Sequence, residues 1–251
     1  ASTASMVSCY GGSDGTATVV PTGGTPGYTY LWSDGQTNAL ATGLSAGTYT
    51  CTVTDDNGCT FTTAGVTITQ PAATISATII NAVDESCAGL NNGSLEVTVV
   101  GGTPGYSYLW SDGQTSPIAN NLTPGIYTCT VTDANGCSYT TAPTNINAAA
   151  ILSLSISSIN NVSCFGANDG SASANSTGGA AVYNYSWSNG QNTQTATGLS
   201  YNMAPGYSCT VTDQNGCLAS ATVQINQPSA PIGAASTASM VSCYGGSDGT
   251  A

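Results

Sequence analysis

Apolar and polar residues alternate along this chain in short runs, and almost every run ends in Gly, Asn, Asp or Pro. Stretches such as Thr16-Ala17-Thr18-Val19-Val20 and Thr50-Cys51-Thr52-Val53-Thr54 have the period of two that belongs to half-buried β-strands. No stretch sustains a helical period. In the first 71 residues the pattern predicts strands near Ser5–Ser8, Thr16–Val20, Tyr28–Trp32, Thr48–Asp55 and Thr60–Thr69. Asp56-Asn57-Gly58 reads as a hairpin turn, because Asn-Gly accepts the positive φ that tight hairpins require. Gly11 to Gly15 and Ser33-Asp34-Gly35 read as further turns. Gln70-Pro71 and Gln227-Pro228 close strand runs that proline cannot extend.

The pattern repeats. Gly23 to Thr37, containing Tyr28, Tyr30 and Trp32, recurs almost unchanged at Gly101 to Thr115 and more loosely from Gly178 to Gln191. The stretch Tyr49 to Cys59 recurs at Tyr127 to Cys137 and Tyr207 to Cys217. Cys9, Cys87, Cys164 and Cys243 follow one another at steps of 78, 77 and 79 residues. Residues 1–17 return letter for letter as 235–251, a displacement of 234. The expected organisation is a first repeat over 1–71 that lacks part of its N-terminal strand, a second over 72–149, a third over 150–228, and the start of another over 229–251. A longer native array, of which this is one period plus an overlap, is the simplest source of such a sequence.

Two features point to immunoglobulin-like β-sandwiches. Trp32, Trp110 and Trp187 fall on the third strand, where such folds bury a tryptophan. Tyr49, Tyr127 and Tyr207 stand two residues before Cys51, Cys129 and Cys209, the placing of a tyrosine corner whose hydroxyl bonds upstream backbone. The expected fold is therefore all-β, a tandem series of immunoglobulin-like sandwiches in a rod or filament.

Composition narrows function. Among 251 residues there are 12 acids and no Lys, Arg or His, for a net charge of −12. No side-chain ion pair can form. Nucleic-acid phosphates and anionic membranes are excluded as ordinary partners, because both are bound through cations. Acid–base catalysis is left with carboxylates, Tyr and Cys alone. Nearly every acid lies in a Gly or Asn turn, and Asp14, Asp34 and Asp55 recur at matching places, so the acids read as turn caps and the chain as no enzyme. Asp55, with Asp84 and Glu85, gives the candidate calcium ligands; a full calcium loop is missing, and no other cofactor is expected. Tyr28, Tyr30 and Trp32 share one strand face, read as core in preference to a sugar-stacking stripe.

The motifs together resemble the SprB-type repeat. They are Ser8-Cys9-Tyr10-Gly11-Gly12-Ser13-Asp14-Gly15, then Gly-Gly-Thr-Pro-x-Tyr-x-Tyr-x-Trp-Ser, then Val-Thr-Asp-x-Asn-Gly-Cys. Such repeats occur in giant surface adhesins of gliding and related bacteria. The resemblance implies an immunoglobulin-like fold, export to the bacterial cell surface, a role in filaments or adhesion, and no catalytic residues. It implies a structural stalk, with an adhesive module gripping glycans or surfaces through its loops as the alternative. Partners are then neighbouring repeats, identical chains alongside, and a glycan or surface ligand.

Ten cysteines without a CxxC or a histidine indicate disulfides in an oxidising compartment. The candidates are Cys9, Cys51 and Cys59, then Cys87, Cys129 and Cys137, then Cys164, Cys209 and Cys217, and Cys243. Three per repeat is an odd number, so a free thiol or a bond between repeats must follow. The family carries an apolar residue such as Val where Cys51, Cys129 and Cys209 stand, and its usual pair corresponds to Cys9 with Cys59. The preferred expectation is a bridge within each repeat, Cys9 with Cys59 ahead of Cys9 with Cys51. Sandwich geometry offers the alternative of Cys9 with the next repeat's Cys137, which would stiffen a stalk.

Overall fold

The structure, a computed structural model, describes residues 2–203, 205–240 and 243–249. Ala204, in the loop insertion of the third repeat, and part of the 235–251 copy lie outside the described residues.

Described residues of the first repeat form eight strands and no helix: β1 (Ser2–Ser5), β2 (Gly15–Val19), β3 (Thr29–Trp32), β4 (Leu40–Leu44), β5 (Gly47–Tyr49), β6 (Cys51–Thr54), β7 (Thr60–Thr62) and β8 (Val66–Ile68). One sheet has the order β1-β2-β4, a second β3-β6-β7, and β5 pairs β8 as a short two-stranded extension. All pairings are antiparallel. A sheet of the first, second and fourth strands with one of the third, sixth and seventh is the arrangement of an immunoglobulin-like sandwich. Repeats 2 and 3 reproduce it, with first strands Ser76–Val83 and Ser153–Asn160 that are longer than β1.

Alternation decides which side chains go inward. In β2, Ala17 and Val19 are buried while Thr16 and Thr18 are half-buried, as the two-residue period requires. Each repeat has its own core. Val7, Ala17, Val19, Trp32, Leu44, Cys51 and Ile68 make the first. Trp110 and Trp187 occupy the same place in the others. Each indole N–H donates to a carbonyl six residues on: Trp32 to Asn38, Trp110 to Ser116 and Trp187 to Thr193, at 2.8–2.9 Å. Tyr49 donates to the Ser45 carbonyl at 3.1 Å and Tyr127 to that of Thr123 at 2.8 Å. In the third repeat an insertion lengthens this corner, and Tyr207 reaches back to Ser200 instead. Tyr28 and Tyr30 pack against the first core.

The strand boundaries depart from the sequence pattern in four places, one being the run Thr60–Thr69, which splits into β7 paired with β6 and β8 paired with β5. The first strand is Ser2–Ser5 and not Ser5–Ser8, because Ser8 is drawn into a loop capped by Asp14. The run Thr48–Asp55 breaks after Tyr49, where the chain changes partner from β8 to β3 and β7, and the Thr50 N–H turns to the Ser33 hydroxyl. Leu40–Leu44, with its isolated Gly43 at φ +69°, was not expected as a strand.

By compactness the chain divides into two units, residues 1–85 with 89–148, and residues 86–88 with 149–251. The first therefore holds two cores. The second holds the third core together with Ser86–Ala88, a short piece of the second repeat.

Candidate functional site

The chemistry of this chain is concentrated in two loops of each repeat, one bearing the first cysteine and one the third. The first is a tight loop after the opening strand. Ser8 donates to Asp14 through its N–H at 3.0 Å and also through its hydroxyl. Gly12 N–H closes on the Cys9 carbonyl at 2.9 Å, and Gly11 N–H is held by Gln70 at 2.8 Å. Cys9 is thereby presented from a loop pinned at both ends. Ser163, Asp169 and Gln227 repeat the arrangement around Cys164. In the second repeat Glu85 takes the capping role, accepting from Gly89 and Asn91.

The second loop is a hairpin built on one aspartate. Asp133 accepts N–H bonds from Thr103 at 2.8 Å and from Asn135 and Cys137 at 2.9 Å each. Burial pushes its carboxyl up, and the several N–H donors outweigh that and hold it below the ordinary value. Asp213 is fixed in the same way by Ala180, Asn215 and Cys217, and Asp55 by Thr25, Asn57 and Cys59.

These two loops meet across repeats. Cys9 is disulfide-bonded to Cys137, with Cα atoms 5.8 Å apart, and Cys87 to Cys217, at 5.6 Å. Each bond therefore joins the first cysteine of one repeat to the third cysteine of the next. The preferred expectation of a Cys9–Cys59 or Cys9–Cys51 bridge within a repeat is overturned. Cys51 lies in the core opposite Trp32, and Cys59 is exposed on its own hairpin. Beside each bond, an asparagine two residues before the third cysteine donates to the carbonyl just before the first. Asn135 reaches Ser8 at 2.9 Å and Asn215 reaches Ser86 at 3.1 Å. Sequence reasoning read these asparagines as turn formers only; their recurrence two residues before every third cysteine was the available signal.

The second cysteine of each repeat has a different part. Cys51, Cys129 and Cys209 are buried free thiols, and loss of hydration raises their pKa. They serve as small apolar core residues. Cys59, Cys164 and Cys243 are free and exposed.

Of the candidate calcium ligands, Asp55 is the hairpin cap just described. Asp84 accepts from the Asn147 N–H and side-chain amide at 2.8 and 3.0 Å, and Glu85 is 6% exposed with an oxygen committed to two backbone N–H groups. The described residues bring together no group of three or more His, Cys, Asp or Glu able to hold a metal. A cleft of about 340 Å³ in the first repeat is lined by Val19, Gly24, Tyr28, Val53, Asp55 and Phe61, among others. In the second repeat Ile75 packs into the corresponding place, its Cβ 3.1 Å from where a Cβ on Gly102 would lie.

A family model described as the SprB repeat matches residues 1–37, 79–115 and 156–192. The SprB repeat is thus matched three times along the chain, once in each repeat. Each match takes in the first-cysteine loop and the Trp strand and stops before the third-cysteine hairpin. In this chain the covalent junction therefore combines a loop inside the matched SprB residues with a hairpin beyond them. No curated protein matches the chain. Among solved structures it is similar to three N-terminal domains of the bacteriophage RB49 Highly Immunogenic Outer Capsid protein (16% identity, TM-score 0.31, 86% of this chain and 95% of that one). It is also similar to a tetra-tandem repeat in the extending region of a large adhesion protein (16%, 0.22, 88% and 72%). A third similar chain is the N-terminal eight-Ig-domain structure of Down Syndrome Cell Adhesion Molecule (16%, 0.29, 79% and 32%).

Proposed function

We propose that this chain is a load-bearing stalk segment of a bacterial surface filament or adhesin, non-catalytic, in which each SprB repeat is locked covalently to its neighbour. The observation that carries this reading is the pairing of Cys9 with Cys137 and of Cys87 with Cys217. A bridge closing a loop of this length adds roughly 5 kcal/mol by chain-entropy reasoning. Its mechanical effect matters more here, since force entering one repeat passes to the next through a covalent bond. The absence of Lys and Arg also leaves trypsin-like proteases nothing to cleave, which suits a protein working outside the cell. The recurring carboxylates of Asp55, Asp133 and Asp213 are spent on backbone N–H groups.

The test is bending stiffness. Individual molecules imaged by atomic force microscopy before and after reduction should lose persistence length on reduction while their circular dichroism stays unchanged. Equal persistence length in the two states would remove the stalk role of the bonds.

The adhesive alternative places ligand contacts in the loop insertion of the third repeat, where Tyr201 and Met203 are exposed. A glycan array probed with the chain and with Tyr201→Ala distinguishes it.

A further inference from the structure

The two cystine junctions leave a defined remainder. Each consumes a first cysteine and the third cysteine of the following repeat, at separations of 128 and 130 residues. Among the described residues Cys59, a third cysteine, and Cys164, a first cysteine, take part in neither bond, and both are exposed free thiols. Cys59, displaced by the 234-residue period, would stand 129 residues beyond Cys164, between the two observed separations.

Both halves are already shaped for the bond. The Cys59 hairpin is held by Asp55 through the N–H groups of Thr25, Asn57 and Cys59, as Asp133 and Asp213 hold the bonded hairpins. Its Asn57 amide, whose counterparts grip the partner loop, reaches only Thr25 of its own repeat at 2.7 Å. On the other side, Ser163 and Asp169 pin the Cys164 loop as Ser8 and Asp14 pin that of Cys9.

We propose that Cys59 and Cys164 are the two halves of one further junction, which joins this 234-residue unit head to tail to a second copy of itself. The proposal rests on the stalk reading and names its partner. The seated segment is Ser163-Cys164-Phe165, and Asn57 turns to donate to the Ser163 carbonyl. Bond formation is a thiol–disulfide exchange with a low-molecular-weight disulfide. The Cys59 thiolate attacks one sulfur of that disulfide and expels one small thiolate. The Cys164 thiolate then attacks the Cys59 sulfur of the mixed disulfide and expels the second. The two protein thiols give up two protons and two electrons, and the small disulfide leaves as two thiols.

The experiment uses the whole chain with Cys243→Ser, which removes the remaining exposed thiol, incubated at high concentration with oxidised glutathione and then alkylated. A ladder of oligomers on a non-reducing gel, with a Cys59–Cys164 peptide in its digest, is expected. Adding Cys59→Ala or Cys164→Ala should leave each protein monomeric. An equal mixture of those two, which supplies one open half from each, should give dimers and nothing longer. A ladder that persists in either single variant, or a mixture that gives no dimer, overturns the proposal. The same digests report Cys9–Cys137. Its presence without dimers in the mixture sinks only the head-to-tail junction, whereas its absence sinks the stalk reading itself.

Discussion

Pulling the chain by its ends reads the bond pattern as a length. With both cystines intact, the shortest covalent path runs from residue 1 to Cys9, across to Cys137, back along the chain to Cys87, across to Cys217 and on to residue 251. That path contains about 92 residues, so at ~3.5 Å per extended residue the fully stretched chain is limited to about 320 Å. After reduction the whole chain is free to extend, to about 875 Å by the same measure. The decisive variant is Cys59→Ala. Bonds between repeats do not use Cys59, so the oxidised limit stays at about 320 Å. Bonds within repeats would lose the first bridge, and the limit would grow to about 515 Å. Optical-tweezer force–extension curves with handles at both termini separate these lengths easily. An oxidised Cys59→Ala chain that stretches to the longer value refutes the junctions described here.

Three other outcomes follow from the side chains. Asp133→Ala deprives the part-buried N–H groups of Thr103, Asn135 and Cys137 of their acceptor; at roughly 0.5–1 kcal/mol for each bond, calorimetry should show a loss of about 2 kcal/mol. Asp55→Ala, on a more exposed hairpin, should lose less. Iodoacetamide should label Cys59, Cys164 and Cys243 in the native protein, and Cys51, Cys129 and Cys209 only after denaturation, since burial raises their pKa and blocks access; Cys129→Val should change stability by under ~1.5 kcal/mol. Acid should destabilise the fold. The carboxyls of Asp14, Asp55, Asp84, Asp133, Asp169 and Asp213 lie below the ordinary 3.8 in the folded chain. A depressed folded value contributes stability above the unfolded value, and that contribution is lost as pH falls through the folded one. The melting temperature should therefore be level from pH 5 to 7 and fall below about pH 4; a melting temperature that rises on acidification contradicts the capping roles.

The sandwich was legible because its determinants are local. Alternation in β2, the Trp of β3 and the Tyr before Cys51 each act within a few residues of themselves. Strand edges were less so. Ser2–Ser5 is a strand because Gly15–Val19 lies beside it, ten residues and a loop away, and no local pattern encodes that. Pairing of the cysteines lay further out of reach. Three cysteines per repeat required something beyond one internal bridge, but choosing Cys137 over Cys59 for Cys9 depends on where a neighbouring repeat places its hairpin. The carboxylates came closest to a full reading: Asp14 and Asp55 were legible as turn caps, while the reach of Asp55 to Thr25, thirty residues upstream, was not.

Covalent linkage between neighbouring repeats is the claim on which the rest stands. Non-reducing digestion with an aromatic-directed protease, followed by mass spectrometry, tests it directly. Cross-linked peptides joining Cys9 to Cys137 and Cys87 to Cys217 are expected, with Cys51, Cys129 and Cys209 recovered as alkylated thiols after denaturation. Peptides joining Cys9 to Cys59 and Cys87 to Cys137 would contradict it and return the chain to a string of independent beads.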